Sequence, residues 1–131
     1  MNEGNDKQLN GGAQESKEEM EKARDKLERA KIELQKAESA WDDAGFIEGL
    51  KKKAPDEKEE AVRLKQEIGT KLLMIENVQI GLVTQRVKEN SRQLEFAITD
   101  LENALQTLSN VTKILNATGS LLSLIGRILA L

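Results

Sequence analysis

Cysteine, histidine and tyrosine are all missing from this 131-residue sequence, proline occurs once, and aromatic side chains make up only 2%. Each absence closes off some chemistry. Without cysteine there is no disulfide framework and no thiol nucleophile. Without cysteine or histidine the usual zinc ligand sets cannot be assembled, and neither a Ser-His nor a Cys-His nucleophile pair can form. No side chain titrates near neutral pH at its ordinary value. The few aromatics, Trp41, Phe46 and Phe96, and the lone Pro55 sit in a background of Glu, Lys, Leu, Ala and Gln. That composition describes long helices or a coiled coil rather than a sheet. The expected class is all-α: a long helical hairpin that assembles into an oligomer or filament through its C-terminal half.

What is present is charge, unevenly placed. Net charge is only −3, yet residues 1–67 carry 32 of the 43 charged side chains. A heavily solvated first half therefore precedes a second half that something must cover. Neither half is basic enough for a nucleic-acid partner. Met1 to Gln14 is polar, rich in Gly and Asn, and shows no basic-then-apolar pattern of a cleaved secretory signal. A flexible arm is expected over 1–15, and a location that is cytoplasmic or reached by export without a cleaved signal.

The spacing predicts a first helix over 16–44. Ser16 with Glu19 forms a capping box. Apolar residues then recur at Met20, Ala23, Leu27, Ala30, Leu34, Ala37, Trp41 and Ala44, in alternating steps of three and four, an unbroken heptad seam. One column is large and the other is all alanine, so a partner helix can approach closely. Gly45 is read as the stop, and residues 45–56, with two glycines, Pro55 and Lys51–Lys53, as a turn.

A second helix is expected over 57–117, followed by an apolar helical segment over 118–131. Its first seam, Ala61, Leu64, Ile68, Ile75, Val78 and Leu82, faces the first helix. A second column runs at period seven through Leu73, Ile80, Val87, Leu94, Leu101, Leu108, Leu115, Leu122 and Leu129, widened by Ile98, Leu105 and Ile125. Residues 72–83 are apolar at eight of twelve positions and are expected at the centre of the assembly. A turn at Glu89-Asn90-Ser91 would give three similar helices instead; the step from Val87 to Leu94 keeps the heptad phase and favours continuity. At 1.5 Å per residue the rods would span ~44 and ~90 Å, so the first covers only part of the second. The oligomer interface is thus expected at Leu94, Ile98, Leu101, Leu105, Leu108, Leu115, Leu122, Ile125 and Leu129, the partner being a second copy or another helical protein.

Residues 114–131 are apolar apart from one narrow stripe, Asn116, Ser120, Ser123 and Arg127. At ~27 Å such a helix approaches bilayer thickness, and membrane contact is the alternative reading. The stripe and its arginine fit burial in protein better. Asn110-Val-Thr112 and Asn116-Ala-Thr118 match a glycosylation pattern and are read as chance. Asp42/Asp43 and Glu59/Glu60 belong at helix termini, where the dipole favours them. No catalytic, cofactor or metal site is expected.

The stretch Asn90-Ser-Arg-Gln-Leu-Glu-Phe96, with Leu101-Glu-Asn-Ala-Leu-Gln-Thr-Leu108 and the apolar end, resembles the C-terminal helix of filament and needle-tip proteins of bacterial type III secretion. The resemblance covers some 35–40 residues. It implies export without a cleaved signal, a helical hairpin, and polymerisation around a channel. The Lys-rich loop before Pro55 departs from the short turn of needle subunits. The sequence also looks like helical pore-forming toxin components. Three functions follow as expectations: a self-associating structural protein, a membrane-active translocator, or a coiled-coil adaptor.

Overall fold

The structure, a computed structural model, describes the backbone of residues 2–130 and the side chains of residues 17–130. Among the described residues six helices follow one another: α1 (Asn2–Ala40), α2 (Ala44–Lys51), α3 (Pro55–Asn77), α4 (Ile80–Glu89), α5 (Ser91–Ala104) and α6 (Val111–Leu129). No strand occurs among the described residues, so the chain is all-α. The α1 backbone is already helical from Asn2, which places Ser16 within a helix rather than at its start. The side chains of the polar segment 1–15 and of Ser16 itself lie outside the described residues.

At the other end α1 stops four residues early. Asp43 caps α2, its Oδ2 accepting from the backbone N–H of Gly45 at 2.8 Å and of Phe46 at 3.2 Å, an ordinary N-cap. Ala44 therefore opens α2, is exposed, and lies outside the α1 seam. Gly45 is inside a helix rather than ending one. The expected turn over 45–56 holds a short helix because Phe46 has a place to go: it is fully buried and meets the Trp41 ring at 4.8 Å between centroids. Trp41, half-buried as a packing residue, donates from its indole Nε1 to the Ala61 carbonyl of α3. Gly49 is required here. A Cβ at that position would stand 2.8 Å from the Ser109 carbonyl oxygen and 2.9 Å from Val111 Cγ2, so only glycine lets α2 lie against the turn before α6. Pro55 occupies the first turn of α3, where its missing N–H costs nothing.

The long second helix is folded back on itself. Residues Val78 and Gln79 are extended, and α3 and α4 run in opposite directions on either side of them. A second reversal occupies 105–110, where Asn110 caps α6 by accepting from the Lys113 N–H. At Asn90 the chain only kinks: Leu94 N–H still donates to the Asn90 carbonyl at 2.8 Å, and the Asn90 side-chain amide donates to the Arg86 carbonyl. The heptad phase across Val87–Leu94 is therefore kept, and α4 and α5 form one bent rod.

Four rods result, in the order α1, α3, α6 and α4–α5 around the bundle, each packed on its neighbours. The directions follow from residue pairs. Lys31 meets Glu76 and Trp41 meets Ala61, so α1 and α3 are antiparallel. Glu57 meets Thr112, and Gly126 lies against Lys71, so α3 and α6 are parallel. Arg86 of α4 donates to the Ile128 and Ala130 carbonyls, so α4–α5 and α6 are antiparallel. That arginine also satisfies carbonyls that the end of α6 leaves open.

The α1 seam enters the core as expected through Ala23, Leu27, Ala30, Leu34 and Ala37, with Met20 half-buried, and α3 adds Ala61, Leu64, Ile68 and Ile75. Leu82 does not join them. It is 60% exposed, because the reversal before α4 turns Val83, Thr84 and Val87 inward instead. Leu73, at the head of the long column, is 61% exposed for the same reason: its column only begins to face the core beyond the reversal. Residues 72–83 are thus the place where the rod breaks rather than the centre of an assembly.

The residues expected at an oligomer interface lie in this chain's own core. Leu94, Ile98, Leu101, Leu122 and Ile125 are at most 2% exposed, and Leu115 and Leu129 are 5% exposed. Leu105 and Leu108, in the second reversal, are partly buried against the same cluster. The length mismatch between one short and one long rod disappears once the long rod is folded twice. The polar stripe Asn116, Ser120, Ser123 and Arg127 is exposed, the solvent side of a helix whose other faces are covered.

Core burial predicts a contrast between two leucines of one column. Leu101→Ala lowers unfolding free energy by ~2–5 kcal/mol, whereas Leu73→Ala changes it by less than ~0.5 kcal/mol; urea unfolding followed by circular dichroism measures both. Thr118 offers the opposite sign. Its hydroxyl is fully buried on α6 without a hydrogen-bond partner among the described residues, so Thr118→Val raises stability by about 1 kcal/mol.

Candidate interaction surface

Two helices that run parallel and keep a common period bring the same heptad positions together at every turn of the repeat. In α1 and α4–α5 those positions are charged. Lys88 Nζ lies 2.6 Å from Glu19 Oε1, and one heptad further on both rods Lys26 Nζ lies 2.9 Å from Glu95 Oε2. Arg29, one turn past Lys26, donates from both terminal nitrogens to Glu95 at 2.5 and 2.9 Å. The Arg29 and Lys26 cations hold the Glu95 carboxyl down at about 2. A groove of about 430 Å³ runs along this rung, floored by Ala23 and Val87.

One heptad beyond, the pattern meets Glu33 and Glu102, two carboxylates. Glu33 is only 4% exposed, with Lys36 as its ion-pair partner at 3.8 Å. Burial pushes the Glu33 carboxyl up from its ordinary range, Lys36 opposes this, and the Glu102 charge adds to it. Successive rungs therefore act in opposite directions: Glu95 favours the folded state as an anion, and Glu33 favours it as an acid.

Among the described residues no three His, Cys, Asp or Glu side chains could hold a metal ion. Asp43 is engaged as a helix cap, and Glu60 as a partner of Arg63 at 2.6 Å. Among the described residues no helix is long and apolar enough to cross a membrane.

What stands out is apolar side chains left outside a filled core. Leu73, Leu82 and Val62 are 59–61% exposed, and Phe96 is 74% exposed. Leu73, Met74 and Leu82 flank the Val78–Gln79 reversal, while Leu82 and Phe96 lie two heptads apart on the α4–α5 rod. Phe96 borders two grooves, one against α1 and one against α6. None of these exposed side chains belongs to the set expected at the oligomer interface. Phe96 was legible in principle, because it falls between the inward positions Leu94 and Ala97; the outward turn of Leu82 depends on the reversal and was not.

The two anomalous carboxylates predict pH effects of opposite sign. Glu95 has its carboxyl lowered in the fold, so its stabilisation is complete above about 4.5 and is lost as pH falls towards 2. Glu95→Gln lowers the thermal midpoint at pH 7, by an amount equivalent to less than ~1 kcal/mol for so exposed a pair, and the difference from the parent closes near pH 2. Glu33 has its carboxyl raised, so its anion opposes folding above that raised value, and the penalty is absent well below 4.5. Glu33→Gln raises the midpoint at pH 7, and the gain shrinks on acidification. Thermal scans across pH 2–7 on both variants check the signs. Comparison with protein families, with curated proteins and with solved structures finds no match to this chain.

Proposed function

We propose that this chain is a non-enzymatic helical interaction module that binds another helix-forming protein through apolar side chains outside its core. The observation that carries this reading is the exposure of Phe96, Leu82 and Leu73 on a bundle whose inward positions are already filled. A partner laid over solvated aromatic and leucine side chains gains apolar contact that the filled core does not supply. The sequence supports the non-enzymatic part, since it lacks the histidine, cysteine and tyrosine from which most acid–base and nucleophilic sites are built.

Self-association through the C-terminal column has lost its motive. The resemblance to type III secretion filament and needle-tip proteins rests on residues that fall in α5, the reversal after it and α6, not on one continuous C-terminal helix. A polymer joined through Leu115, Leu122 and Leu129 would have to open the bundle that buries them. A surface-bound partner does not.

The reading predicts a 14.6 kDa monomer by light scattering at micromolar concentration. A photo-crosslinking residue placed at Leu73, Leu82 or Phe96 in the cells that make the protein yields an adduct of one discrete size, and one placed at Ser123 yields none. Equal labelling from all four positions, or none from any, contradicts the proposal. So does co-flotation of the full-length protein with lipid vesicles, which supports the membrane-active reading instead.

A further inference from the structure

The groove between α5 and α6 combines three features. Its floor is apolar, formed by Ala97 and Leu124, 9% and 3% exposed. Phe96 stands at its edge, 74% exposed. Two arginines line it, Arg92 one turn before Phe96 on α5 and Arg127 from the antiparallel α6. Neither makes a hydrogen bond or ion pair among the described residues, whereas Arg29, Arg63 and Arg86 are engaged by Glu95, by Glu60 and Glu67, and by carbonyls at the end of α6, and Arg24, the other arginine without such a bond, shares its groove with Glu28 and Glu76. The single carboxylate in the groove, Asp100, lies one turn beyond Phe96 and pairs with neither arginine. Arg92 and Phe96 also border the neighbouring groove on the α1 side, but there the cation Lys26 is matched by Glu95 and Lys88 by Glu19.

We propose that the α5/α6 groove, of about 460 Å³, is the docking site for an acidic amphipathic helix of a partner protein. The partner's apolar residue lies on Ala97 and Leu124 against the Phe96 ring. Carboxylates about one turn to one side of it meet Arg92 and Arg127, which the antiparallel pairing of α5 and α6 places at the same end of the groove, away from Asp100. Arginine is suited to this, because its planar guanidinium takes a carboxylate in two parallel hydrogen bonds. Aromatic and arginine side chains are also those that dominate the energetics of protein interfaces, and a helix laid in an apolar groove is a recurrent way to use them. Charge complementarity selects the sign of the occupant: two unengaged cations against one acid favour a negative segment and oppose a basic one. An anionic membrane is the weaker fit. Each basic residue near such a surface contributes only ~1 kcal/mol, and two of them beside a carboxylate in a concave groove present little to a flat sheet of headgroups.

This site deepens the reading of the chain as an interaction module and rests on it. The test is a selection from a display library of random-sequence helical peptides against the full-length protein, with the recovered peptides measured by fluorescence anisotropy. The expected winners place Glu or Asp one turn from a Leu, Ile, Met or Phe. Their affinity falls about tenfold or more on Phe96→Ser and on the double variant Arg92→Glu/Arg127→Glu. Glu→Lys forms of the same peptides regain binding to the double variant. All three side chains are solvent-facing, so an unchanged thermal midpoint verifies that the variants stay folded.

Recovery of neutral or basic peptides, of none at all, or of peptides indifferent to the arginine reversals overturns the proposal. Binding to vesicles containing anionic phosphatidylglycerol, lost in the same variants while no peptide binds, also overturns it and assigns the groove to lipid. Failure of this groove is distinguishable from failure of the module reading. In the first case crosslinks still form at Leu73 or Leu82, and in the second they form nowhere.

Discussion

The bundle depends on apolar columns that share one period across rods of matched length. Ala23, Ala30 and Ala37 let the neighbouring helices come close, and Leu27 and Leu34 fill the space beside them. The second reversal preserves the seven-residue phase, so the column of Leu94 and Leu101 is inward again at Leu115 and Leu122, whereas the first exchanges the inward column, leaving Leu73 and Leu82 exposed and turning Val87 inward. Parallel pairing of α1 with α4–α5 then brings equivalent heptad positions level, which is why Glu19–Lys88 and Lys26–Glu95 recur with the same sequence separation. The third rung, Glu33 with Glu102, shows that this register is set by the apolar columns and not by the charges, since it is held even where two acids meet. Surface ion pairs contribute little individually, whereas each buried leucine or isoleucine contributes ~1.5–3 kcal/mol.

Much of this was legible from residues alone. The α1 seam, the half-buried packing role of Trp41, the break before Pro55 and the exposed stripe on α6 all follow from spacing. The two reversals did not, for a physical reason. Heptad phase reports which side of a rod faces apolar surroundings; it does not report whether the next rod continues or returns. Leu101, Leu108 and Leu115 read as one column although the chain turns back between the first and the last. The local signals were present but weak. Ser109-Asn110 is an ordinary helix start, and Asn77 donates its amide to the Leu73 carbonyl at the end of α3, yet neither residue is a breaker of the strength of proline.

The outward surface was less legible still. Phe96 falls between inward positions and so declares itself exposed, and Arg127 sits in a stripe that spacing marks as polar. That Arg92 and Arg127 share one groove, and that no carboxylate engages them, depends on α5 and α6 lying antiparallel. Tertiary neighbours decide whether a charge is a structural partner or is left open to a ligand, and a single chain pattern does not contain them. Gly49 is similar. In sequence it reads as a turn former; its role is to let the Ser109 carbonyl pass within contact distance.

The same energetics constrain how this protein can assemble. Leu94, Ile98, Leu101, Leu115, Leu122, Ile125 and Leu129 are all buried within the chain. At ~1.5–3 kcal/mol each, exposing them forfeits roughly 10–20 kcal/mol, as much as the whole stability of an ordinary domain, which is about 5–15 kcal/mol. A partner that used those faces would therefore have to replace the core outright. A partner that uses Phe96 and the arginines beside it leaves the core untouched and gains from side chains the fold has not engaged. Binding at the surface is favoured because it requires no prior unfolding, and the residues left outside the core are the ones available to carry it.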